Sequence, residues 1–296
     1  MVKVYEKGQA LVLVLLSLAV VLTLVLFILS RSVTDIAVTS REEEAVRAFS
    51  AAEAGVENAL VVGVGNASDI GNASYTSAVI DFAVGLPSFV YPLSLTSGES
   101  GTVWFIGHDT DSNTLCDATH PCYRGGSIKV CWGKEGTSAV VGTTPAIEFT
   151  LFYETTPGSA ATARIARGAY DPNAGRRSAN AFAAPDGAGC TDIEGENFAF
   201  SKNISFASLG VPAGSYNVDK GLQFAKVRMF YNTDANHKIA FDVSGAGGTM
   251  LPSQGLKVNS SGVAGESNRR LEVFQGWPEA PSIFESVVFS GSGVTK

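Results

Sequence analysis

The chain has 296 residues, of which 45% are hydrophobic, and it carries a formal net charge of −7. That length allows one large domain or two small ones. The Lys and Arg residues form no run longer than two, which argues against a nucleic-acid partner. The sequence contains three histidines and no H-E-x-x-H, G-x-S-x-G or G-x-x-x-x-G-K-[ST] motif. We therefore do not expect an enzyme.

The first element in the chain is an uncharged apolar segment from Gln9 to Ser30, rich in Leu and Val. As a helix with a rise of about 1.5 Å per residue it spans roughly 35 Å, enough for the core of a bilayer. It is longer than the apolar part of a cleaved secretory signal, which has roughly 7 to 15 residues. Lys3 and Lys7 precede it, so we expect a cytoplasmic N-terminus and a body outside the membrane.

The helix is expected to continue beyond the membrane, because residues 31–60 contain no proline and no glycine before Gly55. Apolar side chains recur there, mostly every three or four residues among charged ones, which predicts an amphipathic stripe. The members of this predicted stripe are Val38, Ala45, Phe49, Ala52, Val56 and Leu60. Gly63 and Gly65 follow and predict the end of the helix. A helix over residues 9–62 is roughly 80 Å long, more than a small domain needs for its own core.

The arrangement of the N-terminal segment resembles that of a known superfamily. A short basic leader ending in Lys7-Gly8, followed by an apolar and then an amphipathic helix, is similar to type IV pilins and pseudopilins. The run Ala48–Glu57 resembles the A-x-x-A-E-A-G-x-E segment of minor pilins with a PilX-type N-terminus. The resemblance covers residues 1–60 and is weak beyond them. It implies a leader at residues 1–8, cleavage by a prepilin peptidase between Gly8 and Gln9, and methylation of the new N-terminus.

The resemblance also implies a function and a location. It describes a structural subunit anchored in the bacterial inner membrane and assembled into a type IV pilus-like or type II secretion-like filament at the cell surface. The implied partners are other pilin subunits, the assembly machinery and the prepilin peptidase. The segment that starts with Ala10, Leu11, Val12 and Leu13 and runs to Leu29 would lie first in lipid and then among the same segments of neighbouring subunits.

Two residues depart from the pattern of the main pilins, which usually begin with Phe and carry Glu at the fifth mature position. This chain has Gln9 and Leu13 there. That glutamate is thought to neutralise the N-terminal amine of a neighbouring subunit, and minor pilins often lack it. The departure therefore favours an accessory subunit. The alternative is a single-pass, membrane-anchored surface protein that binds a ligand or adheres to a host and does not polymerise.

Four cysteines, Cys116, Cys122, Cys131 and Cys190, all follow the apolar segment. An even, clustered set beyond a membrane anchor indicates disulfides. Spacing alone favours a short loop between the first two and a long loop between the last two, although four cysteines permit three pairings. A zinc site is the rival interpretation, but the sequence has no C-x-x-C knuckle, and only His108 and His120 lie nearby.

Residues 63–296 are expected to form a β-rich globular body. Apolar and polar side chains alternate at, for example, residues 128–132, 147–153, 227–231, 239–243 and 271–273, which indicates half-buried antiparallel strands. Runs such as Thr156-Pro157-Gly158 punctuate the gaps. With the long helix packed across one sheet, the predicted fold class is α+β.

A metal ion is considered at one loop only, where Asp109, Asp111 and Asn113 place oxygen atoms at alternate positions, as a calcium loop does. His120 stands where such a loop has its glutamate, so a polar turn is the favoured alternative. Apart from this calcium ion, no cofactor is expected. A second alternating set, Asn232, Asp234 and Asn236, is interpreted as a hairpin turn between two strands.

Overall fold

The computed structural model describes residues 9–109 and 111–279, and the fold is α+β. The predicted leader, including Gly8 of the expected cleavage site, lies outside the described residues. The helices and strands, in chain order, are α1 Gln9–Val62, β1 Ala67–Ile70, β2 Ala73–Asp81, β3 Ser88–Val90, β4 Ser100–Trp104, β5 Gly107–His108, β6 Thr114–Leu115, β7 Ser127–Lys134, β8 Ala146–Glu154, β9 Ala163–Tyr170, α2 Ala174–Asn180, β10 Cys190–Ile193, β11 Glu196–Ser205, α3 Ala213–Tyr216, β12 Leu222–Phe230, β13 Ile239–Asp242, β14 Gly255–Ala264 and β15 Ser267–Gly276.

The described residues divide into two compact units. Among these residues, the first unit contains residues 9–79 together with Val258–Val273, and the second contains Ile80–Lys257 together with residues 274–279. This division differs from the predicted boundary between residues 62 and 63, because strands from both ends of the predicted body group with the helix. The periodicity of a strand does not reveal which distant element it packs against.

The first unit is built around α1, a continuous helix of 54 residues. The helix ends as predicted at Gly63, which adopts a φ of +77° and whose N–H donates to the Ala59 carbonyl at 2.9 Å. A glycine in the left-handed region closes a helix without the steric cost that a side chain would bring. Four strands in the order β1-β2-β14-β15 form the sheet of this unit.

The face that α1 presents to this sheet differs from the predicted stripe. Val38, Phe49 and Leu60 are exposed by 49%, 42% and 37%, so assigning them to the buried face was wrong. The residues that are buried on the helix are mostly small, namely Ala48, Ala51, Ala52, Gly55, Val56 and Ala59. Ala52 and Val56 of the predicted stripe are among them. Val56 and Ala59 form a cluster with Val258 of β14, against which Val79 of β2 also packs.

Small side chains are required there because the backbones approach closely. A Cβ on Gly262 of β14 would collide with the Ala48 carbonyl and lie 2.5 Å from the Ala52 nitrogen. A Cβ on Gly55 would lie 2.6 Å from the Tyr75 ring of β2 and would collide with the Ser260 hydroxyl. Because the buried residues are small, the larger apolar side chains of α1 do not indicate which face of the helix packs on the sheet.

The second unit buries one core between two sheets. Five strands lie in the order β10-β11-β7-β13-β3 and four in the order β4-β12-β8-β9. The strands pair in antiparallel fashion, as predicted. The alternating apolar residues of β7, β8, β12 and β13 contribute to the shared core. Among its largest fully buried members are Trp132, Tyr123, Phe89, Phe105, Phe149, Phe206 and Phe241.

The segment with Asn232, Asp234 and Asn236 is not the predicted hairpin turn. It follows β12 of the four-stranded sheet and precedes β13 of the five-stranded sheet, so it crosses from one sheet to the other. Asn232 is buried, and its side-chain amide donates to the Leu95 carbonyl at 2.9 Å. Polar residues at alternate positions indicate a turn, but they do not reveal whether the strand after the turn pairs with the strand before it or joins another sheet.

Two disulfides hold parts of the second unit together. Cys116 is bonded to Cys122 and Cys131 to Cys190, with Cα atoms 5.3 and 6.0 Å apart. This is the pairing that the spacing favours. Because the four sulfur atoms form two disulfide bonds, none of them remains as a thiolate ligand for the zinc ion of the rival interpretation. Cys131 lies on β7 and Cys190 on β10, so the second disulfide passes across the intervening strand β11.

Candidate functional site

The N-terminal part of α1 is the first candidate site. The helix is long and apolar enough to cross a membrane, with a mean hydropathy of 3.3 in its most apolar window, none of which is buried within the chain. Leu11, Val12, Leu13 and Leu29, which the sequence assigns to a membrane and assembly segment, are all exposed. Gln9 and Ala10 open the helix. An apolar surface of this extent needs a partner in lipid or protein.

The two side-chain hydroxyl groups between Leu11 and Leu29 form hydrogen bonds within the helix itself. Ser17 donates to the Val14 carbonyl at 2.9 Å, and Thr23 donates to the Val20 carbonyl at 2.8 Å. In lipid, a hydroxyl group without an acceptor would cost free energy because no water is available. The segment therefore suits an apolar environment along its whole length.

A row of exposed apolar side chains connects the two halves of α1. They are spaced eleven residues apart, and eleven residues make about three turns, so they lie along one side of the helix. We call them the apolar row, and its members are Leu16, Phe27, Val38, Phe49 and Leu60. Three of its members, Val38, Phe49 and Leu60, were predicted to be buried against the sheet and are exposed instead. The apolar row is a surface on which another helix could pack.

The predicted calcium loop is closed on itself. The Asp109 carboxylate accepts hydrogen bonds from the backbone N–H groups of Asp111 and Asn113 at 2.9 and 2.8 Å, and from the Asn113 side-chain amide at 3.1 Å. These bonds, chiefly those from Asn113, lower the pKa of Asp109. The geometry is that of an Asx-type turn. Within residues 9–109 and 111–279, no three His, Cys, Asp or Glu side chains are grouped so that they could hold a metal ion.

Next to this loop, His108 lies in an aromatic environment within the second unit. Its ring stacks on Trp277 with centroids 4.9 Å apart and lies nearly perpendicular to the ring of Trp104, with centroids 4.5 Å apart. The side chain is only 5% exposed, and burial lowers its pKa to about 4. Its Nδ1 atom has no hydrogen-bond partner of normal geometry among the described residues, although the Ile106 carbonyl is near enough to offset part of the pKa shift.

His108 also lines a small cavity, which we call the His108 cavity. Its volume is about 70 Å³. Its lining residues are Asp81, Val84, Gly107, His108, Asp109, Thr119, His120, Pro121, Pro252, Ser253, Leu256 and Trp277. His120 comes from the loop closed by the first disulfide, and its Nδ1 lies 3.1 Å from Asp117. The structure therefore brings two of the three histidines to one cavity.

The third histidine, His237, is structural in its contacts. The Lys134 N–H donates to its Nδ1 at 3.1 Å, and burial lowers its pKa. No local pattern in the sequence pointed to Asp81 or Trp277 as residues of this cavity, because they lie far from the loop in the chain and only the fold brings them to it. Comparisons with protein-family models, with curated proteins and with solved structures find no match for this chain.

Proposed function

We propose that the chain is a minor pilin-like or pseudopilin-like structural subunit. In this proposal the cleaved chain is held in the bacterial inner membrane by the first part of α1 and is then assembled into a type IV pilus-like or type II secretion-like filament. The observation that carries the proposal is a single 54-residue helix that is apolar and exposed at one end and packed by small residues on a sheet at the other. A plain membrane anchor needs only the first part.

The proposed mechanism is transfer of the helix from lipid to protein. The apolar surface of Leu11–Leu29 leaves the bilayer and enters contact with the same segments of neighbouring subunits. Because both environments are apolar and the hydroxyl groups of Ser17 and Thr23 are bonded within the helix, the transfer does not require apolar surface to enter water. The apolar row extends this contact beyond the membrane as far as Leu60.

Cleavage of the leader is the first test. The full chain is produced together with a prepilin peptidase, and the N-terminus of the purified product is sequenced. We expect Gln9 as the first residue, and we expect Met1 to be retained in a Gly8→Leu variant. An intact Met1 in the unaltered chain, under conditions in which a control prepilin is cut, would contradict the proposal.

Recovery of the chain in filaments is the second test, and it separates the proposal from a non-polymerising surface protein. Phe49→Glu places a charge on the apolar row, whereas Val61→Glu places it on an exposed side chain about 120° away around the helix axis. We expect Phe49→Glu to lower the amount of chain in sheared filaments by on the order of tenfold, equivalent to about 1.4 kcal/mol, and Val61→Glu to leave it unchanged.

Equal recovery of both variants would show that the apolar row is not an assembly surface. Absence of the unaltered chain from sheared filaments, with the chain retained in the membrane, would favour the single-pass surface protein instead.

A further inference from the structure

The four-stranded sheet of the second unit has an outer face that points away from the shared core. On β8, Phe149 and Leu151 lie in that core, so the alternation of the strand places Phe152 on the outer face. Side chains in register with it across the sheet share this face. We call this set the outer strip, and its members from β9 to β4 are Ile165, Phe152, Phe224 and Trp104. Phe152 and Phe224 stack with ring centroids 4.4 Å apart, and Ile165 is 52% exposed.

A second row on the same face is polar and buried. Thr102 of β4, Lys226 of β12 and Thr150 of β8 are in register with one another, and they are exposed by only 8%, 2% and 6%. A lysine is seldom buried to this degree unless it is paired. Because the row points away from the core, its burial indicates that another part of the protein lies over it.

Glu279 holds the chain on this buried row. Its carboxylate accepts a hydrogen bond from the Thr102 hydroxyl and lies 3.5 Å from the Lys226 ammonium nitrogen. Two residues earlier, the Trp277 indole N–H donates to the Ser253 carbonyl at 2.9 Å. The described part of the chain therefore reaches the outer face at Glu279, held by contacts at two nearby points.

The sequence that follows Glu279 suits an apolar surface. Residues 280–289 contain one charged side chain and five large apolar ones, namely Ile283, Phe284, Val287, Val288 and Phe289. From β12 to β9 the distance is two strand spacings, about 10 Å, and an extended chain covers about 3.3 Å per residue. Ile283 and Phe284 are therefore close enough to Glu279 in the chain to reach the outer strip.

We propose that residues 280–289 dock on the outer strip of their own chain. Glu279 fixes the point at which the segment crosses the sheet, so the following residues are held near the strip at a high effective concentration. Burial of apolar side chains against Phe152, Phe224 and Ile165 stabilises the docked segment. The segment then covers an apolar surface that would otherwise face water. The proposal does not depend on polymerisation of the chain.

Docking is tested by limited digestion of the full chain in detergent micelles with chymotrypsin, which cleaves after Phe284 and Phe289. Mass spectrometry follows cleavage at these two bonds, and a synthetic peptide with the sequence of residues 280–296 is the undocked reference. We expect cleavage in the chain to be at least about tenfold slower than in the peptide. A docked segment is cleaved only during the fraction of time for which it is released.

Two variants of the same chemistry locate the docking surface. Ile165→Asp places a charge on the exposed end of the outer strip, whereas Val140→Asp places it on a side chain that is 82% exposed in the loop between β7 and β8. We expect Ile165→Asp to bring cleavage to within about threefold of the peptide rate and Val140→Asp to leave it unchanged. The unfolding temperatures of both variants show whether the body remains folded.

A second pair of variants tests the contact that positions the segment. Glu279→Gln removes the charged partner of Lys226 and should accelerate cleavage after Phe284. Glu266→Gln, which changes an exposed glutamate at the turn between β14 and β15, should not.

Three results would overturn the proposal. Cleavage of the unaltered chain at the peptide rate would mean that the segment does not dock. Equal cleavage of Ile165→Asp and Val140→Asp, both slower than the peptide, would place the segment away from the outer strip. Protection that is lost when the micelles are diluted to one chain each would mean that the segment docks on a neighbouring copy.

Discussion

At the scale of single residues, the contact between α1 and its sheet depends on glycine and alanine. Gly55 and Gly262 allow backbone and side-chain atoms to approach more closely than any Cβ would permit. Close approach increases the van der Waals contact between the helix and the sheet. The close contact between the helix and the sheet therefore requires glycine at these two positions.

Gly262→Ala tests this dependence. Its Cβ would meet the backbone of Ala48 and Ala52, which cannot rotate away as a flexible side chain could. We expect the free energy of unfolding to fall by about 1 to 3 kcal/mol. Gly187→Ala is the control, because a Cβ there has nothing within 4 Å. Urea unfolding of the full chain in detergent measures both, and equal stabilities of the two variants would contradict the prediction.

His108 predicts a dependence of stability on pH. Burial lowers its pKa from 6.5 to about 4, so between these values the unfolded chain binds a proton that the folded chain does not. Stability therefore falls as the pH is lowered from about 6.5 to about 4. In His108→Asn the loss over this range should be smaller, although His237, whose pKa is also lowered, retains part of it. Urea unfolding at several pH values measures the slope, and identical slopes would contradict the assignment.

At the scale of elements, the two disulfides close loops of very different length. Cys116 and Cys122 are 6 residues apart in the sequence, whereas Cys131 and Cys190 are 59 apart. A cross-link that closes a longer loop removes more conformational entropy from the unfolded chain. The longer loop also joins β7 to β10 across the five-stranded sheet.

Replacing each cysteine pair by serine should therefore have unequal effects. In the loop-entropy description, loss of the Cys131–Cys190 bond lowers the free energy of unfolding by about 4 kcal/mol, and loss of the Cys116–Cys122 bond lowers it by about 2 kcal/mol. Each double variant serves as the control for the other. Unfolding in urea without reductant measures the difference, and a larger effect for the short loop would contradict the prediction.

At the scale of the whole molecule, the apolar segment and the charges before it predict how the chain lies in a membrane. If Lys3 and Lys7 lie on the cytoplasmic side, as the positive-inside tendency predicts, the strands and both disulfides should face outward. Protease added to intact spheroplasts should digest the body, and inverted vesicles should protect it. Lys3→Glu combined with Lys7→Glu should reduce the digested fraction. Protection of the body of the unaltered chain in spheroplasts would contradict this orientation.

The sequence by itself determined the features that depend on neighbouring residues. The uncharged run from Gln9 to Ser30, the absence of proline as far as Gly63 and the alternation in β7 and β8 are local patterns, and the helix and strands follow them. The α+β class and the pairing favoured for the cysteines followed from the same patterns. Local spacing was sufficient because hydrogen bonding and side-chain periodicity act over a few residues.

Only the tertiary structure decided which surfaces meet. It placed small residues of α1 against the sheet and left Phe49 and Leu60 exposed. It also led the segment around Asn232 from one sheet to the other and brought Trp277 onto His108. These contacts join residues far apart in the chain, and their free energy depends on close packing in three dimensions, which the spacing of residue types along a single sequence does not record.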